Sequence, residues 1–262
     1  MPLPPEGSQL SAIDVGLVGA VVLVTGGVRG VGLGITRAFQ SAGASVVTCA
    51  RHEQSVTGAE FLPCDVRDAE QVRELVDTVV ARHGRLDVLV NNAGGAPFAL
   101  AADASPRLHA KIVELNLLAP LLVAQAANAV MQDQPTGGAI VMVSSVSGRR
   151  PSPGAAAYGA AKAGLDGLTA TLAVEWAPKV RVNSLAVGLV RTESAHLHYG
   201  DEAGVARVGA TVPLGRLAEP AEIGACAAFL ASPLASYVSG ATLVAHGGGE
   251  SPAYLAASNA ED

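Results

Sequence analysis

The chain has 262 residues, half of them apolar and only 3% aromatic, with a net charge of −6 and no basic cluster. A core of small and branched aliphatics suits one large α/β domain with a parallel sheet covered by helices. The charge pattern speaks against nucleic-acid or anionic-membrane binding. Three cysteines, Cys49, Cys64 and Cys226, form no C-x-x-C pair and read as buried thiols of a reducing cytosol. The histidines lack metal-ligand spacing, so no metal site is expected. Residues 1–16 contain Pro and Gly without a basic leader and read as a mobile arm. No apolar run reads as long enough to span a membrane, so a cytoplasmic protein is expected.

In chain order, Ala20 to Val24 is an apolar run that reads as the first buried strand, ending at Thr25-Gly26. Gly26-Gly27-Val28-Arg29-Gly30-Val31-Gly32 is a glycine turn, followed by a helix from Leu33 to Ala42 that Gly43 closes. Strands follow at Ser45–Ala50 and Glu60–Cys64. Asp68 is placed to cap a helix reaching about Arg82, with Val72, Leu75, Val76, Val79 and Val80 on its apolar face. Leu86 to Val90 is the fourth strand, ended by Asn91-Asn92-Ala93-Gly94. A helical region from about Ala104 to Met131 must be broken or bent by Pro120, with the break near Asn116.

The fifth strand, Ala139 to Val143, stops at Ser144-Ser145. A helix from Ala157 to about Trp176 follows, and Pro178 ends it. Val180 to Val187 is the sixth strand, residues 188–217 are mixed, Pro220 to Ala231 is a helix, and Ala241 to Ala245 is the last strand. Seven strands alternating with helices imply one doubly wound Rossmann-type domain, residues 17–250, with a parallel sheet and helices on both faces. Residues 251–262 read as a polar, Ala-rich tail.

Ligands of such sheets bind beyond the carboxyl ends of the strands. Thr25-Gly26, Ala50-Arg51, Asp65, Asn91-Asn92, Ser144-Ser145 and Gly188 all stand at such ends. The spacing of Gly26, Gly30 and Gly32 is G-x-x-x-G-x-G, not the usual G-x-G-x-x-G. It serves the same end, since missing Cβ atoms let backbone N–H groups approach a pyrophosphate at a helix N-terminus. Where an acid would hold the ribose of NAD, the chain reads Thr48-Cys49-Ala50-Arg51. Arg51, with Arg29 in the turn, suits the 2′-phosphate of NADP instead. Tyr158 and Lys162 are four apart and share one helix face. The ammonium is expected to lower the phenol's pKa toward working pH.

A Ser at 145, thirteen positions before Tyr158-x-x-x-Lys162, resembles the active site of the short-chain dehydrogenase/reductase family. The glycine turn led by Thr25 and the Asn91-Asn92-Ala93-Gly94 motif resemble the same family over about residues 16 to 249. That resemblance implies a catalytic set of Asn116 holding a relay water, Ser145 binding the substrate oxygen, Tyr158 as general acid/base and Lys162 on the cofactor ribose. Ser144 would be structural. It further implies cofactor contacts from Gly26, Arg29, Gly30, Val31, Gly32, Arg51, Asp65, Val66, Asn92, Ala93, Gly94, Gly188, Val190 and Thr192. Asp65 and Val66 would meet the adenine, and Val190 the carboxamide.

Val187-Gly188 departs from the family's Pro-Gly, which is expected to loosen the turn there. His246 stands where Asp is common, and Asn183 matches. The implied activity is NADP(H)-dependent ketone/secondary-alcohol interconversion, NAD(H) being the alternative cofactor. The implied substrate is a 3-oxoacyl thioester or similar hydrophobic carbonyl. The alternatives are an NAD-dependent hydroxysteroid or polyol dehydrogenase and a non-catalytic dinucleotide sensor. The pocket is expected from residues 95–100, 146–151 and 192–211, with Phe98, Leu197 and Tyr199 apolar. Arg149 and Arg150 are within reach of an acidic group, although solvation is the plainer reading. Family members are commonly oligomeric, so a homo-oligomer, a tetramer or a dimer, is expected.

Overall fold

The computed structural model describes residues 15–257, so all but the last two residues of the arm lie outside the described residues. Seven parallel strands form one sheet in the order β3-β2-β1-β4-β5-β6-β7. They are β1 Val21–Thr25, β2 Ser45–Ala50, β3 Glu60–Pro63, β4 Val88–Asn91, β5 Gly138–Ser145, β6 Val180–Val187 and β7 Thr242–Ala245. The sheet reverses direction of growth between β1 and β4, which opens a crevice at their carboxyl ends.

Strand periodicity divides the core in two. Val21 and Leu23 face one side, where they pack with α2 (Ala69–His83), α4 (Ala119–Asp133) and α5 (Ala156–Glu175). Val22 and Val24 face the other, with α1 (Gly30–Ser41) and α8 (Pro220–Ala231). Both faces are therefore apolar, which is why the strands read as continuous hydrophobic runs. Truncating a fully buried residue such as Leu23 to Ala is expected to cost about 2–5 kcal/mol. Helices α1 and α8 meet backbone to backbone: a Cβ at Gly224 would lie 2.5 Å from the Gly34 carbonyl oxygen.

The expected helix cap holds. The Asp68 carboxylate accepts from the N–H groups of Glu70 (3.0 Å) and Gln71 (3.2 Å), two of the four donors that a helix start leaves unpaired. The helical region expected to break near Asn116 consists of α3 (Pro106–Val113), a wide π turn over Glu114–Leu118, and α4. The cause is Pro120, which has no N–H for the Asn116 carbonyl and whose ring crowds it. Widening the turn lets Ala119 N–H donate to Glu114 instead.

Contrary to expectation, residues 106–133 are long and apolar enough, by length and composition, to cross a membrane. That apolarity is core-directed: Val123, Ala124, Ala127 and Met131 are fully buried against the sheet. Between β6 and α8 the chain forms two short helices, α6 (His196–Tyr199) and α7 (Glu202–Gly209). Residues 253–257 of the expected tail form another, α9.

Candidate active site

The carboxyl ends of β1 and β4 are locked together first. Thr25 is buried, and its hydroxyl accepts from the N–H groups of Asn92 and Ala93, each at 3.0 Å. The Asn92 amide donates back to the carbonyls of Thr25 (2.9 Å) and Gly26 (3.1 Å). A threonine and an asparagine here thus satisfy backbone groups that the ladder leaves unpaired. Above them runs the glycine turn, with Gly26 and Gly30 at φ of 64° and 52°, a conformation that favours glycine. Arg29 precedes α1 and is exposed, as is Arg51 at the end of β2; Val31 packs against the core on the α1 side of the sheet, and Gly94 lies by Asn116 and Lys162.

This cradle fits the phosphates of a dinucleotide. Its turn ends in a helix start whose first turn carries no acid of its own. The end of β2 offers no carboxylate, only Ala50 and Arg51. Asp65, after β3, is paired with its neighbour Arg67. Both its oxygens are held by Arg67, at 2.9 and 2.5 Å, and that bond keeps its carboxyl below the usual range. Val66 is buried in the core beneath it.

The four catalytic candidates converge one strand further along. Asn116 is fully buried in the π turn. Its side chain donates to the carbonyls of Ile112 and Gly95, each at 2.9 Å, and accepts from Gly95 N–H at 2.8 Å. Its side chain therefore clamps the segment after Gly94. Ser145 ends β5, and the Ser144 hydroxyl donates to the Lys162 carbonyl at 3.2 Å, tying strand to helix. Tyr158 and Lys162 lie on the inner face of α5, with Nζ 5.6 Å from the phenol ring centre.

The electrostatics differ from the expectation that the ammonium lowers the phenol. Burial pushes Tyr158 up from its ordinary value, and the hydrogen bond with Ser145 opposes this. Lys162 does not reverse the shift. Its Nζ donates to the Val143 carbonyl at 2.7 Å, and complete burial takes its own pKa down to about 8, with Asp166 opposing.

Beyond β6, Val187 stays in the ladder opposite Ser145 and Ala245, and Gly188 N–H donates to Ala245 at 2.9 Å. Strand pairing therefore holds the chain on both sides of Val187, where the family's proline is missing. Val190 pairs with Ala218, and Thr192 lies against the glycine turn, its Cγ2 3.5 Å from where a Gly30 Cβ would stand. Asn183 is a structural residue: it joins Val238 and Ala241 at the entry to β7. His246 packs by Gly249 and lines an apolar cleft with Val212, Leu214, Ile223 and Cys226, away from the four candidates.

The expected pocket arginines are both engaged. Arg149 donates to Asp166 at 3.1 Å, and Arg150 pairs with Glu250. Phe98 rests on Gly154, Leu197 is exposed, and Tyr199 is half-buried near Arg150 and Glu250. Two residues escaped the sequence reading. Asp166 accepts from the Ser184 hydroxyl at 2.7 Å and faces Lys162; its i+4 spacing from Lys162 was the available signal. Glu193 meets the glycine turn, a contact across 163 residues that carries no local signature.

Sheet, cradle and Ser-Tyr-Lys cluster together define a dinucleotide-dependent oxidoreductase. The comparisons agree. A family model described as enoyl-(acyl carrier protein) reductase matches residues 26–250. Human dehydrogenase/reductase SDR family member 4 is 37% identical over 245 residues, 88% of each protein. D-Threitol dehydrogenase of Mycolicibacterium smegmatis is 37% identical over 259 residues, 93% of this chain and 98% of that one. The ligand-free aldohexose dehydrogenase of Thermoplasma acidophilum superposes with a TM-score of 0.85 at 29% identity, covering 88% of this chain and 94% of its own. The chain belongs to the short-chain dehydrogenase/reductase family, whose members bind NAD(P)(H), and it is an oxidoreductase acting on CH–OH.

Proposed function

We propose that this chain is an NADP(H)-dependent oxidoreductase that interconverts a ketone and a secondary alcohol. The observation that carries the reading is the half-buried Tyr158 phenol, its pKa held up by desolvation with Ser145 opposing and its ring faced by Lys162, beside a glycine cradle with no acid at the end of β2. The bound cofactor supplies or accepts the hydride at its nicotinamide. Gly26, Gly30, Val31 and Gly32 hold the pyrophosphate, with Asn92, Ala93 and Gly94 along the crevice. Arg51 and Arg29 attract the 2′-phosphate. Gly188, Val190 and Thr192 bound the nicotinamide end.

In the reductive direction Ser145 donates to the carbonyl oxygen and Tyr158 Oη gives it a proton. A phenol held above its ordinary pKa is protonated throughout the neutral range, as a donor must be. Lys162 holds a cation beside the phenol below about pH 8 and binds the ribose hydroxyls. Asn116, through the turn that it clamps, positions a relay water.

The substrate is a small carbonyl compound or alcohol, and two classes are in play. A 3-oxoacyl thioester would call on Arg149 or Arg150 for its phosphate, yet both arginines are paired with carboxylates. A polyhydroxylated substrate needs no free cation, and the D-threitol and aldohexose dehydrogenases are relatives of this chain. A panel of 3-oxoacyl thioesters and polyol-derived ketones, assayed with NADPH, separates them. Turnover confined to the hydroxylated compounds is expected. Turnover of the thioesters alone restores the hydrophobic reading, and no turnover of either supports the non-catalytic sensor.

The same reading includes a cytoplasmic location, in keeping with free thiols at Cys49, Cys64 and Cys226. It also includes a homo-oligomer, in keeping with exposed Val174 on α5 and Phe229 and Tyr237 at or beyond α8. Sedimentation as a monomer at micromolar concentration would remove the oligomer.

A further inference from the structure

Helix α1 starts without a cap of its own. Arg29 occupies the capping position and makes no side-chain cap bond, and the first turn holds no acid. The anionic group that this helix start favours comes from far along the chain: Glu193 Oε1 accepts from Gly30 N–H at 3.1 Å. Neighbouring Thr192 lies over the same glycine, and His196 Nδ1 hydrogen-bonds the Glu193 carbonyl at 2.9 Å. The segment around 192–196 is thus pinned across the mouth of the glycine turn by one carboxylate.

We propose that Glu193 is an internal competitor for the pyrophosphate and so sets the protein's affinity for its dinucleotide. The inference rests on reading the glycine turn as the phosphate cradle. A backbone N–H satisfied by a carboxylate is not available to a phosphate oxygen, and two anions side by side repel. Glu193 must therefore swing away when the phosphates enter, which releases the 192–196 segment at that anchor. The apparent dissociation constant is the intrinsic one divided by the fraction of molecules with the turn open. If Glu193 occupies the donor in about 70–90% of molecules, binding is weakened about three- to tenfold. The contact is exposed, so replacing the side chain leaves the core untouched.

The test compares wild type with Glu193→Gln, which keeps the shape and removes the charge, and with Glu193→Ala. Inorganic pyrophosphate is titrated by calorimetry and NADPH by nicotinamide fluorescence. Pyrophosphate is expected to bind about three- to tenfold tighter to Glu193→Ala, and tighter by a smaller factor to Glu193→Gln, whose amide oxygen still accepts from Gly30 N–H, and NADPH likewise. Unchanged, weaker or undetectable pyrophosphate binding in the variants overturns the competition and leaves Glu193 as a mere helix cap. Tighter pyrophosphate binding with no NADPH binding to any of the three proteins upholds the competition and overturns the dinucleotide reading instead.

Discussion

The catalytic edge and the cover opposite it are built on different principles. At the edge, Asn116, Ser144 and Lys162 are buried and each is bonded to backbone from another element. The cover, residues 190–217, has a small core of Ala195, Val205 and Leu217 and leaves Leu197 and Leu214 exposed. Side chains fixed by the sheet can be placed to fractions of an ångström, whereas a thinly packed cover can change its lining without disturbing the sheet. Under the proposed function, chemistry would belong to the edge and substrate choice to the cover.

The largest effect should come from the edge. Tyr158→Phe removes the proton donor and is expected to lower kcat/KM by about 10³-fold. NADPH binding, followed by fluorescence, should shift by less than about twofold. Retained turnover would move the acid elsewhere and dissolve the contrast.

Next comes the pH dependence of stability through Lys162. Its folded pKa, about 8, lies below the ordinary value of 10.5, so between those values the unfolded chain binds more protons and stability rises with pH. Below pH 8 the buried ammonium carries the full cost, on the order of 3 kcal/mol. Lys162→Met removes it. In urea unfolding the stability of wild type should gain on that of the variant as pH rises from 8 to 10.5. A difference independent of pH would mean that the ammonium is solvated.

A smaller loss is expected for Thr25→Val, which strips the acceptor from the N–H groups of Asn92 and Ala93 at constant volume. Urea titration should show about 1–3 kcal/mol. The smallest belongs to the cover: Leu197→Ala should change stability by less than about 0.5 kcal/mol while shifting KM for the substrate. A large loss of stability there would show that the cover is as firmly built as the edge.

The same contrast explains what the sequence revealed. The seven strands, to within a residue or two at their ends, the cap at Asp68, the break before Pro120 and the Tyr158–Lys162 face follow from local periodicity and proline chemistry, and all appear in the structure. The direction of the Tyr158 shift did not follow. Spacing puts an ammonium near a phenol but does not reveal that both are desolvated, or that Nζ is engaged by Val143. The pairing of Arg150 with Glu250 and the reach of Glu193 to Gly30 join segments 100 and 163 residues apart, where no local pattern points. Likewise, the pairing of Val187 with Ala245 depends on β7, far along the chain, and the departure from proline at 187 does not reveal it.

Titration of the purified protein with NADPH and NADH, followed by nicotinamide fluorescence in wild type and Arg51→Ala, bears most directly on the cradle at the centre of the proposed function. The absence of an acid at the end of β2 predicts NADPH binding at least about tenfold tighter than NADH, and loss of that preference in Arg51→Ala. Equal affinities, or an NADH preference untouched by Arg51→Ala, would contradict it and make Arg51 a solvated surface residue.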